Sequence, residues 1–421
     1  MAPPGRMKAT AAIGVAAILG IAACSGKGEE TAAPASASAS GSAASAEGSS
    51  APASDSPLSI VLESSGALIM SEVAGGLAIA DAAGKRLATA RGAEDLEELA
   101  MPTGLPAELA GVTRVSGRLP DSLWLSVALP TDPEKKKYKT PFFRLSGGKL
   151  KEIADDWRPL VVPWSKRRTL AISTSSGKLK IKVIEPFTKA APADQPSSFV
   201  PDERCKKTLK LEEATSLPSG EVLAAGKCAL GDDERPAYVM VRWPPFTPPR
   251  DAPAPATSAA APSAAASAGG PEGPPADDEP DKSGAPMTLV TLSRDRLRHV
   301  SLVARSDGNV YVGATVEGAG GSRLLRVEGD KVSTVELPPL DEPLFDLALT
   351  EAGELWAITF RAAHRRAPGE AWTRVPLPAD VLLARVESSG PAVYFLGGKS
   401  LQPGSPGLVL KLGGGKALSW K

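Results

Sequence analysis

Two histidines, three cysteines and a few clustered charges are the side chains in this 421-residue chain whose types and spacing could do chemistry. Nucleophilic hydrolysis needs a serine on a sharp elbow and a base to take its proton, and no Gly-x-Ser-x-Gly elbow occurs after residue 57. Base work would then fall to His299, which opens the apolar run 299–303, or to His364, which stands among Arg361, Arg365 and Arg366. Both read as surface or strand-edge residues. Gly397-Gly398-Lys399-Ser400 resembles the end of a phosphate-cradling loop, but Val393 stands where the first glycine of that spacing belongs, so it reads as a turn.

Paired carboxylates can serve glycosidic chemistry or calcium, and they occur at Asp155-Asp156, Asp232-Asp233-Glu234 and Asp277-Asp278-Glu279. Adjacent acids on polar turns are usually solvated, and the third group lies in a stretch without core-forming residues. Lys135-Lys136-Lys137 decorates a hairpin tip between Val127 and Phe142. Arg361, Arg365 and Arg366 form a second basic cluster, which could line a face and meet an anion but reads first as a solubilised loop. No catalytic, cofactor-binding or metal-ligating set is assigned.

The amino terminus carries a sharper signal. Arg6 and Lys8 precede an uncharged run from Ala9 to Ala23, which has the length of a signal-peptide core and is too short to span a bilayer. The run ends in Ile21-Ala22-Ala23-Cys24, followed by Ser25 and Gly26. This resembles the lipobox of bacterial lipoproteins. The resemblance implies that residues 1–23 are a cleaved leader and that Cys24 carries lipid and anchors the chain to a membrane. It also implies, through Ser25, a preference for the outer membrane. Two or three acyl chains make a stable anchor where one would be marginal. From Thr31 to Pro57 the chain is almost wholly Ala, Ser, Gly and Pro, so residues 24–57 read as a lipidated amino terminus and a disordered tether.

Loss of the leader removes Arg6 and Lys8 from 48 basic residues, leaving 46 against 48 acidic ones. Such a balance gives no field for steering nucleic acid. With Cys24 assigned to lipid, Cys205 and Cys228 remain as an even pair in an oxidising compartment, and a disulfide is the economical reading.

The elements that must position any site are strands. Past Pro57, short apolar runs are separated by Gly, Asp, Ser and Pro, and only Ala93 to Ala100 looks briefly helical. One pattern, a turn residue, a spacer and alternating apolar residues, begins at Gly76, Asp121, Arg168, Gly220, Gly308, Gly353 and Gly390. The spacings are 45, 47, 52, 88, 45 and 37 residues. The long interval contains the Ala/Pro/Ser-rich stretch 248–286, and without those 39 residues it becomes 49. Second hairpins follow several copies, as in 324–335, 143–153 and 409–420.

Four strands per period of this length is the signature of propeller blades. Residues 58–421 are therefore expected to form an all-β, β-propeller-like domain, with seven four-stranded blades and a disordered insertion at 248–286. Trp124, Trp356 and Tyr394, which recur in the pattern, read as blade-to-blade core. The expected function is a non-enzymatic cell-envelope lipoprotein, membrane-bound through its lipid, whose tethered propeller binds or scaffolds an envelope protein or polymer. The alternative is an exported propeller-type hydrolase or lyase, which would require a histidine or acids from several blades to converge in the central channel.

Overall fold

The computed structural model describes residues 56–100, 111–120, 122–132, 137–146, 148–154, 160–163, 169–175, 178–184, 208–217, 219–230, 236–243, 288–304, 308–318 and 321–421, together with Leu105, Pro106, Leu109 and Cys205. After β1 (Leu58–Ser64), a first sheet runs β2 (Leu68–Val73), β3 (Gly76–Asp81), β4 (Leu87–Ala90), β5 (Glu97–Leu99). In the second, β6 (Gly111–Arg118), β7 (Ser122–Asp132), β9 (Phe142–Ser146) and β10 (Lys149–Ala154) lie in order, with β8 (Lys137–Lys139) paired to β7. The third holds β11 (Leu160–Pro163), β12 (Thr169–Ser175) and β13 (Lys178–Ile184). The fourth comprises β14 (Lys210–Ser216), β15 (Val222–Ala229), β16 (Pro236–Trp243) and β17 (Thr288–Ser293), and the fifth β18 (Leu297–Ala304), β19 (Val310–Val316), β20 (Ser322–Glu328) and β21 (Lys331–Val335). The sixth contains β22 (Asp346–Leu349), β23 (Leu355–Ile358), β24 (Ala363–Arg366) and β25 (Thr373–Val375). The last is β26 (Leu382–Ser389), β27 (Ala392–Gly398), β28 (Leu408–Leu412), β1 and β29 (Leu418–Trp420).

The architecture is an all-β propeller. Six blades have four or five strands, and the third sheet shows three among the described residues. The first strands β2, β6, β11, β14, β18, β22 and β26 each neighbour the next, and β26 returns to β2, so the ring closes.

Every copy of the sequence pattern is the second strand of its sheet. A second strand has a partner on each side and a blade over each face, so it must be apolar throughout, and β3, β15, β23 and β27 are buried along almost their whole length. The turn residue before it closes the hairpin from the first strand. Gly220, Gly308, Gly353 and Gly390 take positive φ there (58° to 89°), a backbone state that costs glycine least. Apolar faces of adjacent blades meet in seven clusters among the described residues, each spanning one interface of the ring. Trp124, Trp356 and Tyr394 lie fully buried in these clusters, as core. At Gly313 the blades approach so closely that a Cβ would meet Leu347 Cδ1 of the next blade at 2.6 Å.

Closure differs from the pattern expected for 409–420. Strands β28 and β29 are not a hairpin: β1 lies between them, antiparallel to β28 and parallel to β29. The amino-terminal strand is thus held on both edges by the carboxy-terminal blade, and mutual pairing satisfies backbone groups that each terminus would leave open. A latch completes the seam with the first blade. Lys411 Nζ donates to the carbonyls of Ala93 and Glu94 at 2.8 and 3.1 Å, and Tyr394 Oη donates to Glu94 O at 3.0 Å. The segment expected to be briefly helical instead contains β5, because its residues are needed as the outer strand of the first blade. The 248–286 stretch lies outside the described residues, as do residues 1–55 with Cys24. Strands β16 and β17 pair across the inserted stretch.

Cys205 and Cys228 form a disulfide and are fully buried, joining the turn before β14 to β15 across 23 residues. Cys228→Ser, compared with the oxidised parent by chemical denaturation, is expected to lower stability by about 3 kcal/mol.

Candidate functional site

A cavity of about 1870 Å³ runs through the ring, bounded by the seven first strands. These strands have one sheet partner each, so their inner edge faces the cavity and admits polar side chains where the second strands cannot. Irregular pairing re-aims several of them. The register slips between Val112 and Arg114 on β6, between Leu211 and Glu213 on β14, between Arg298 and Ser301 on β18, and between Leu383 and Arg385 on β26. Bulges of this kind kink the strand and turn a side chain out of alternation. Three of the four are followed directly by a charged residue that lines the cavity: Arg114, Glu213 and Arg385. Glu72, Asp346 and Glu387 join them from β2, β22 and β26.

Arg385 is the hub. Its Nε donates to Glu387 Oε1 at 2.5 Å. Burial opposes its charge, but Glu387, Asp346 and Glu213 outweigh that and hold its pKa above the ordinary arginine value. The Asp346 carboxylate accepts from the Val386 backbone N–H at 3.0 Å, which ties the sixth blade to the seventh. Burial and the nearby Glu387 push Asp346 up to about 6 against the pull of Arg385. Glu213 is raised by burial, with Arg114 and Arg385 opposing, and Arg114 is lowered by burial, with Glu213 opposing.

Glu72 behaves differently. It is exposed to the bore, yet surrounded by enough protein that burial, then Glu387 and Glu351, push it up to about 8 against Arg385. Solvent in the bore screens that charge and limits what the shift is worth in free energy. The sign is still definite. A carboxyl whose folded pKa lies above its unfolded value of 4.5 is most stabilising when protonated, so its contribution is present below that value and lost as pH rises through about 8. Stability is therefore expected to fall from pH 5 to pH 8 through this residue. Glu72→Gln should flatten the slope in denaturation curves across that range.

Of the residues marked by sequence, few reach the channel. His364 lies on β24, the third strand of its blade; it is buried, not on the surface, because β23 and β25 flank it, and burial followed by Arg374 lowers its pKa. His299 falls within the bulge of the first strand β18, and its side chain lies outside the described residues. Arg361 pairs with Glu342 at 3.2 Å, Arg365 with Glu354, and Arg366 lies 6.0 Å from the centre of the Trp372 ring, so the basic cluster has partners within its own fold. Lys399 and Ser400 line the cavity. Asp155-Asp156, Asp232-Asp233-Glu234 and Asp277-Asp278-Glu279 lie outside the described residues, as do Lys135 and Lys136. Among the described residues no three His, Cys, Asp or Glu side chains could hold a metal ion.

Glu72, Arg114, Glu213, Asp346, Arg385 and Glu387 form no motif in the sequence, because each blade contributes only one or two of them. Their signal is a charge within the strand-like run before each turn, as in Ser71-Glu72-Val73 and Arg385-Val386-Glu387.

No protein family matches the sequence, and neither does any curated protein. Several solved structures are similar in shape. A catalytically inactive virginiamycin B lyase from Staphylococcus aureus matches 85% of this chain and 96% of its own at 10% identity and a TM-score of 0.45. The Pan2 WD40 domain of Neurospora crassa matches 86% and 97% at 7% identity and a TM-score of 0.47. A PQQ-bound aldose sugar dehydrogenase from Streptomyces coelicolor matches 86% and 99% at 12% identity and a TM-score of 0.37. Two of these three are enzymes by name, but likenesses at such identities and scores bear on no residue of the channel.

Proposed function

We propose that this chain is a cell-envelope lipoprotein, held to the outer membrane by lipid on Cys24, whose tethered propeller acts as a binding module. The channel is its binding site. The observation that supports this reading is the convergence of Glu72, Glu213, Asp346 and Glu387 with Arg114 and Arg385 in one cavity. Such groups cost free energy to hold inside a fold, and a ring could close without them on apolar contacts alone. The ligand is an envelope protein segment or polymer, and no nucleic acid or resident cofactor is involved.

A second reading, an exported hydrolase or lyase, is favoured by one feature of the same site. Glu72, raised to about 8, would be largely protonated at neutral pH, while Asp346, raised to about 6, would be largely ionised. An acid and a base with separated pKa values in one cavity are what general acid–base catalysis uses.

Two experiments bear on the proposal. Cys24→Ser should move the protein from the membrane to the soluble fraction, and retention in the membrane would contradict the anchor. Capture of envelope components on the full-length protein, identified by mass spectrometry, should yield a recurrent bound species that Glu72→Gln weakens. A bound species that this change leaves untouched would remove the channel from the reading. One that is chemically altered on incubation would favour the enzyme.

A further inference from the structure

Arg114 and Arg385, two of the three arginines that line the cavity, are committed to partners within the protein. Arg385 Nε donates to Glu387 at 2.5 Å, with Asp346 and Glu213 adding to the field that holds its charge, and Glu213 faces Arg114. Glu72 is not so matched: no hydrogen bond or ion pair reaches its carboxylate among the described residues, and it is exposed to the bore. Glu72 is therefore an unmatched, accessible acid of the bore, and a cation beside it would favour its ionised form.

A second observation is independent of the acids. Ser389 closes β26, on the same face as Arg385 and Glu387 by strand alternation, and lines the same cavity. It is 2% exposed, and its Oγ has no hydrogen-bond partner. A buried hydroxyl without a partner costs about 1–3 kcal/mol, and a ligand group could remove that cost. The acids are also dispersed over several blades, and no three of the described ones could share a metal ion. Separated acceptors suit the spread N–H donors of an organic molecule better than one compact cation.

We infer that the channel takes an organic ligand bearing a protonated primary amine, with the Glu72 carboxylate as its counter-charge and the Ser389 hydroxyl as a further acceptor. This rests on the channel being the binding site. An ammonium supplies a positive charge for the exposed carboxylate and three donors, of which the orphan oxygen could accept one. A carboxylate ligand would have to displace Glu387 from Arg385 and would oppose the ionisation of Glu72.

The test is calorimetric titration of the full-length protein with 1,5-diaminopentane, 1,5-pentanediol and glutarate, probes of similar length that differ in charge. The diamine should bind at least tenfold more tightly than the diol, Glu72→Gln should weaken it at least tenfold, and Ser389→Ala should weaken it several-fold. A single cooperative unfolding transition would show that each variant is folded. Tighter binding of glutarate, or diamine binding indifferent to Glu72→Gln, would overturn the cation while leaving a channel site. Absence of binding by all three probes would overturn the cation and count against the channel as well.

Discussion

Replacing Arg385 with methionine is expected to destabilise the protein by about 3–5 kcal/mol, the usual penalty for removing one partner of a buried charge pair. Glu387, at 8% exposure, would lose the Nε contact, and Asp346 and Glu213 would lose the cation that offsets their burial. The penalty should depend on pH in a definite direction. Without the guanidinium, the folded-state pKa values of Asp346 and Glu213 rise further above their unfolded values. The deficit is then largest at neutral pH and shrinks as acid protonates the group. Denaturation of parent and variant at pH 7.5 and pH 5 measures both effects. A penalty unchanged between the two would mean that methionine acts through lost packing, not through the charges it strands.

Trp356→Ala should cost a similar amount, about 3–5 kcal/mol, for a different reason. Trp356 is fully buried and meets Phe395 of the next blade edge-on, with centroids 5.5 Å apart. It belongs to the apolar cluster between the sixth and seventh blades, where Val386 and Val393 also lie. That interface adjoins the closing blade, whose β1 and β29 strands hold both termini of the described chain. The cavity should therefore weaken ring closure as well as local packing. Trp372, half-buried and donating its indole N–H to Glu336 O at 2.9 Å, is the comparison: Trp372→Ala should cost clearly less. Equal effects would show that the interface is looser than its packing implies.

What sequence made legible was the part of each blade under the strictest physical demand. Second strands must be apolar over their whole length, and the turn before them often needs a glycine, so Gly353 to Ile358 and Gly390 to Phe395 announce themselves. The cysteine pair was legible for a similar reason, since Cys205 and Cys228 had no other assigned role. First strands obey a weaker rule. They sit at a sheet edge beside a polar channel, tolerate Glu72 in one blade and Arg114 in the next, and carry bulges that break alternation. No fixed spacing links residues gathered from separate blades, so the site appears only when the ring closes. The position of β1 was hidden likewise, because its partners β28 and β29 lie about 350 residues away. His364 shows the reverse error: its basic neighbours suggested a surface, but cross-strand partners bury it.

Whether carboxyls from separate blades share one electrostatic site is measured directly by titration of Glu72. Selective labelling of glutamate side chains, followed by carbon NMR through the pH range and assigned with Glu72→Gln, gives the midpoint. The structure predicts a value of about 8 for Glu72, moving down when Glu387 is changed to glutamine, because Glu387 is the largest charged contributor that raises it. A midpoint near the ordinary 4.5, unmoved by Glu387→Gln, would contradict the coupled channel and the functional reading built on it.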